Sequence, residues 1–171
     1  MSESKALRSG VGYTLGNILI KGINFLTLPI FSRLLSPEEF GVYNVFASYD
    51  MILFVLIGLA LHTSIQSANL EYRGKINSYT ASISLIYVIN GLVALGVALL
   101  FRKALGDLMG LPPAAVSLLV LSSFSGAVIT LYNTRISLDY SYKKYLLVSG
   151  CSSVLNIALS LGLMLTVFDG N

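Results

Sequence analysis

Tryptophan is absent from this 171-residue chain, histidine and cysteine occur once each, and charged side chains make up only 11% of it. A soluble domain usually carries about a quarter charged residues, so a water-facing globular surface is excluded. The lone Cys151 rules out an intramolecular disulfide, and one cysteine with one histidine cannot make a zinc cluster. No HExxH, G-x-S-x-G or P-loop pattern is present, and no paired aspartates of the kind that hold a metal and a diphosphate. Catalysis therefore has no visible machinery, and neither metal nor cofactor is expected. The net charge of +3 comes with no basic stripe interleaved with aromatics, which argues against a nucleic-acid partner.

What remains is apolar: 55% hydrophobic residues and a mean hydropathy of +0.78. A spanning helix needs about 20 mostly apolar residues. Five such segments are expected, at 10–34, 41–66, 78–101, 113–134 and 145–168. The fold class is an all-α polytopic membrane bundle, with 1–171 as a single bundle and no connection long enough for a soluble domain. The first segment contains Lys21 and lacks a small-residue cleavage site, so it reads as a retained span rather than a signal peptide.

Counting Lys and Arg near alternate span ends places Lys5, Arg8, Arg73, Lys75, Arg135, Lys143 and Lys144 on one side, against Arg33, Arg102 and Lys103 on the other. The excess predicts a cytoplasmic N-terminus. "LSPEEF" then forms the first external hairpin, with Ser36 as N-cap, Pro37 in the first turn and Glu38 and Glu39 against the positive end of the helix dipole. Pro29 is expected to bend the first span. Tyr43, Tyr72, Tyr79, Tyr140, Tyr142 and Tyr145 read as interfacial anchors.

The spans are more polar than anchors require. Tyr13, Asn17, Lys21, Asn24 and Thr27 share one face of the first. Ser122, Gly126, Thr130 and Asn133 stripe the fourth, and Ser149, Ser153, Asn156 and Ser160 the fifth. Each of the five spans carries asparagine: Asn17 and Asn24, then Asn44, Asn90, Asn133 and Asn156. Such stripes either glue helices together or line a hydrated interior. Gly12 and Gly16 form a GxxxG packing signal on a separate face of the first span.

Lys21 sits about halfway through its span, where a cation needs a cavity or a partner. Asp50 lies at a similar depth, so the two can form a register-fixing ion pair, or Lys21 can meet an anionic substrate while Asp50 tunes it. His62 is read as bonded to a neighbouring helix, with a proton relay as the alternative. Arg33 and Arg135 lie at span ends where they can snorkel, and Arg135 can also attract a substrate phosphate.

"PIFSRLLSPEEFGVYNV" resembles the first helical hairpin of Wzx-type polysaccharide flippases, relatives of MATE-type exporters and lipid II flippases. The resemblance rests on Pro29, Arg33, Leu35, Glu39, Phe40, Gly41 and Tyr43. "YNTRISLDYSYKKYLLVSG" is similar to the family's link between spans four and five. The resemblance implies a flippase in the bacterial inner membrane that carries undecaprenyl-diphosphate-linked oligosaccharide for O-antigen, capsule or exopolysaccharide synthesis. On the residues' own chemistry, Lys21, Asn17, Asn24, Arg33, Asn133 and Arg135 are the substrate-binding candidates and Asp50 the ion-coupling or ion-pair candidate. Family members carry many more spans than five. The expected partners therefore include the remaining helices of a longer transporter, or other copies, as well as lipid. A cation-coupled small-molecule exporter centred on Asp50 and a non-transporting scaffold are the alternatives.

Overall fold

Backbone amides in hydrocarbon must be satisfied within the chain, which leaves helices as the form available to long apolar runs. The computed structural model describes residues 3–72, 74–139 and 141–168, and the side chains of 3–6, 8, 23, 24, 26–28, 30, 31, 34 and 156–168 lie outside the description. Among the described residues there is no strand. The helices are α1 (Glu3–Leu34), α2 (Pro37–Gly58), α3 (Ser64–Glu71), α4 (Ile76–Leu100), α5 (Arg102–Met109), α6 (Pro113–Leu138) and α7 (Tyr142–Phe168). Among the described residues, α2, α4 and α6 are long and apolar enough to cross a membrane. α1 and α7 take up the first and fifth expected spans. The all-α membrane architecture is therefore the one observed.

Two compact units are present, Met1–Leu34 with Asp139–Asn171, and Leu35–Leu138. In the second, Ile57, Ile65, Ile83, Tyr87, Val116 and Leu131 form the buried centre. Paired contacts give the helix directions. Asp50 meets Ser123 and Phe54 approaches Gly126, so α2 and α6 run parallel. Ile57 meets Asn90 and Ser64 meets Tyr79, so α4 runs antiparallel to the chain segment around α2. Gly91 against Phe124 and Asn77 against Arg135 make α4 and α6 antiparallel as well. These directions are what alternate crossing of second, third and fourth spans requires. Gly91 has no side chain for a reason: a Cβ there would stand 2.5 Å from the Phe124 ring.

The start of α2 is built as expected. Ser36 accepts from the Glu39 amide at 3.3 Å, and the Glu39 carboxylate accepts from the Ser36 amide at 2.8 Å, a reciprocal capping box with Pro37 opening the helix. Its far end differs from expectation, because the second span does not run as one helix over 41–66. α2 stops at Gly58, Leu59 and Ala60 take the left-handed conformation (φ 46° and 51°), and a 3-10 turn at Leu61–Thr63 leads into α3. The released polar groups are caught by α4. Asn90 donates to the Ile57 carbonyl at 3.0 Å, and the His62 amide donates to the Tyr87 hydroxyl at 3.3 Å. Gly58 lets that hydroxyl in, since a Cβ there would lie 3.1 Å from it. His62 thus does meet a neighbouring helix, with its ring also 6.3 Å from Phe54.

In the first unit α1 and α7 run parallel. Gly12 receives the Tyr142 ring and Gly16 receives Leu146, each closer than a Cβ would allow. The GxxxG is a packing seat, as read from sequence. Pro29 lies inside α1, where Ser32 donates to its carbonyl at 3.1 Å.

Two stability changes should follow, both measurable by unfolding in detergent. Ser36→Ala should lower stability by about 1 kcal/mol through loss of the cap. Ala60→Gly should raise it by up to about 1 kcal/mol by relieving the left-handed strain.

A polar seam on α1 and α7 and a buried contact between α2 and α6

Helical spacing sets Tyr13, Asn17 and Lys21 on successive turns of α1. α7 brings Tyr145 to the first two of them. Its hydroxyl donates to the Asn17 amide oxygen, and its ring stands edge-on to Tyr13 with centroids 5.0 Å apart. Tyr145, expected as an interfacial anchor, instead joins the α1 stripe to α7. The Asn17 amide nitrogen stays available, because this residue is exposed. Buried without a hydrogen-bond partner among the described residues is the Tyr13 hydroxyl.

Lys21, one turn further on, is exposed and engaged by no hydrogen bond or ion pair within the first unit's described residues. Arg33 is also exposed, in the last turn of α1. Twelve residues separate these cations, roughly 18 Å along a helix, so the two do not address one small anion together. The side chains of Asn24, Thr27, Asn156, Ser160, Lys5 and Arg8 lie outside the description, as do Arg73 and Tyr140 entirely.

The second unit holds Asp50, Asn133 and Arg135. Asp50 is half-buried, and its carboxylate accepts from the Ser123 hydroxyl at 2.8 Å. Ser123 is 1% exposed and also lies 2.8 Å from the Leu119 carbonyl and 3.3 Å from the Asp50 carbonyl, so one hydroxyl proton faces three acceptors. Asp50 therefore finds its partner within its own unit, on α6. Arg135 donates to the Asn77 amide oxygen at 2.9 Å, tying the end of α6 to the start of α4. Asn133, two residues away and half-buried, points to another side of α6. No group of three or more His, Cys, Asp or Glu able to hold a metal occurs among the described residues.

Ser123, Asn77 and Tyr87 were not singled out from sequence. Ser123 interrupts the apolar face Val116, Leu119, Val120, Ala127 and Leu131, and a small hydroxyl within such a face was the available signal. The expected stripe of Ser122, Gly126, Thr130 and Asn133 is offset from it by one residue. Thr130 spends its hydroxyl on the Gly126 carbonyl at 2.8 Å, within its own helix.

Ser123→Ala should destabilise by about 1–3 kcal/mol, since Asp50 loses its donor, and by less in an Asp50→Leu background; a double-mutant cycle in detergent measures the difference. Tyr13→Phe should be neutral or stabilise by about 1 kcal/mol in the same assay, because it removes a buried hydroxyl that no described group satisfies.

A family profile described as polysaccharide biosynthesis protein matches residues 6–169, nearly the whole chain. The succinoglycan biosynthesis transport protein ExoT of Rhizobium meliloti (strain 1021) is 30% identical over 124 residues, covering 70% of this chain and 24% of that protein. The chain thus aligns with about a quarter of that relative's length. No solved structure matches. With its helical membrane architecture and a profile match along almost its full length, the chain belongs to the polysaccharide biosynthesis protein family.

Proposed function

We propose that this chain is part of a flippase that moves undecaprenyl-diphosphate-linked oligosaccharide repeat units across the bacterial inner membrane, with the N-terminus cytoplasmic. Family membership supports a polysaccharide-related transporter rather than an enzyme, and the Rhizobium relative is named as a transport protein. The observation that carries the finer reading is Lys21. A lysine within a long apolar helix, exposed and without a partner among the described residues of its unit, offers fixed positive charge to an anion. A diphosphate is such an anion, and the neighbouring Asn17 amide can donate to it or to a sugar hydroxyl. Arg135, held by Asn77, and Arg33 are secondary contacts along the path. The lipid-linked glycan, membrane lipids and the further helices of a longer transporter are the partners in this reading.

A second reading, a cation-coupled exporter of small molecules, draws on Asp50. Its carboxylate is half-buried among apolar helices and held by a single serine among the described residues of its unit, a setting suited to exchange of a proton or Na⁺.

Complementation separates them. In cells lacking their own repeat-unit flippase, Lys21→Ala in the complete reading frame should reduce surface glycan by about tenfold or more at matched protein level, and Lys21→Arg should restore most of it. Export that survives Lys21→Ala but fails with Asp50→Asn would replace the flippase assignment with the cation-coupled one.

A further inference from the structure

The first two-thirds of α2 carries an open groove of about 450 Å³ that none of the preceding assignments uses. It is lined by Asn44, Val45, Ser48, Tyr49 and Ile52 of α2 and by Met109 of α5. Its volume falls in the range of about 300–1,000 Å³ common for small-molecule sites. α2 buries Leu53, Phe54 and Ile57 against the core, while Asn44, Ser48 and Ile52 recur every four residues on another face.

Two of the groove's polar side chains are unspent. Within the second unit neither the Asn44 amide nor the Tyr49 hydroxyl is hydrogen-bonded among the described residues. Ser48 donates to the Asn44 carbonyl at 2.8 Å, so its oxygen can still accept. A lipid tail lying there would leave the Asn44 amide and the Tyr49 hydroxyl unsatisfied in hydrocarbon, which is costly. A phosphate would find no cation, since no lining residue is charged. What fits is a neutral ligand with many hydroxyls and apolar C–H faces. Those are the properties of a sugar ring, whose hydroxyls pair with amides and whose C–H face rests on an aromatic ring.

We infer that the Asn44–Ser48–Tyr49 groove is a saccharide subsite that takes the neutral glycan of the transported molecule, apart from the group that holds its diphosphate. This rests on the flippase reading for its role, but not for its ligand chemistry. It adds a selectivity determinant: α2 senses the sugar chain, with Asn44 and Tyr49 as the contacting side chains.

Two measurements on the full chain in lipid, as wild type, Asn44→Leu/Tyr49→Leu and the conservative Asn44→Gln and Tyr49→Phe, test it. The first is transbilayer movement in proteoliposomes of undecaprenyl diphosphate bearing a neutral tetrasaccharide, compared with the same carrier bearing one sugar. The second is saturation-transfer NMR of nanodisc-embedded protein with cellotetraose as the soluble probe. The expected result is movement of the tetrasaccharide carrier reduced about tenfold in the double variant, with the one-sugar carrier little changed, and cellotetraose signal lost in parallel. Partial retention by Asn44→Gln and Tyr49→Phe would exclude simple misfolding as the cause. Equal slowing of both carriers, as when another helix covers the groove, overturns the proposal, and so does no slowing of either. If wild type moves neither carrier but binds cellotetraose through Asn44 and Tyr49, the flippase reading fails and the subsite stands. Absence of both movement and binding removes both.

Discussion

The end of α2 is where the architecture of the second unit is decided. A helix that stops among apolar side chains strands carbonyls and amides that no water will pair, and each would cost several kcal/mol in hydrocarbon. Asn90 takes the Ile57 carbonyl and Tyr87 takes the His62 amide. Both side chains come from one face of α4, three residues apart, so closing the helix end also fixes how α4 lies along it. With Tyr87 only 1% exposed and Gly58 admitting its hydroxyl, this junction has one arrangement. α6 then completes the layer, parallel to α2 and antiparallel to α4, as the crossing sense of each span demands.

Polar residues in this chain fall into two groups that composition alone cannot separate. Some are consumed by the fold: Asn90, Ser123 and Tyr145 each hold a partner on another helix, and Thr80, Ser84 and Thr130 return their hydroxyls to carbonyls of their own turn. Others, such as Lys21, Asn44 and Tyr49, are left with donors or acceptors open among the described residues of their units. Burial in lipid penalises an open group far more than a paired one. The open set is therefore the better guide to where substrate, water or further protein must come.

Legibility from sequence followed the range of the forces involved. The cap at Ser36, the spans themselves and the glycine seat at Gly12 and Gly16 rest on residues within a few positions of one another, and they were readable. The glycine face and the Tyr13–Asn17 face, read as separate, both meet α7, because adjacent faces of a thin helix can be covered by one neighbour with large tyrosines. The break at Leu59–Ala60 carries neither glycine nor proline at the strained positions, so no local signal announced it. It persists because α4 supplies its missing hydrogen bonds, a contact between residues 25 to 33 positions apart. Likewise the donor to Asp50 within the second unit, Ser123, is 73 positions away and is a serine within an apolar row, so no local signal announced it.

That placement bears on how recognition is organised. A lipid-linked glycan makes two different demands, positive charge for its diphosphate and neutral hydrogen-bonding surface for its sugars. Under the proposed reading, a cation within a long helix, Lys21, lies on α1, and the neutral groups of the groove, Asn44 and Tyr49, lie on α2. Charge cannot be tuned without disturbing the constant part of the substrate, whereas neutral contacts can be exchanged one hydrogen bond at a time, each worth about 0.5–1.5 kcal/mol. The α2 groove is suited to such exchange because its residues face away from Leu53, Phe54 and Ile57, so the core need not repack. Under the proposed flippase reading, carrier binding and glycan selectivity would be separable on different helices, and a change of sugar specificity would leave both the helix closure by Tyr87 and Asn90 and the lysine on α1 intact.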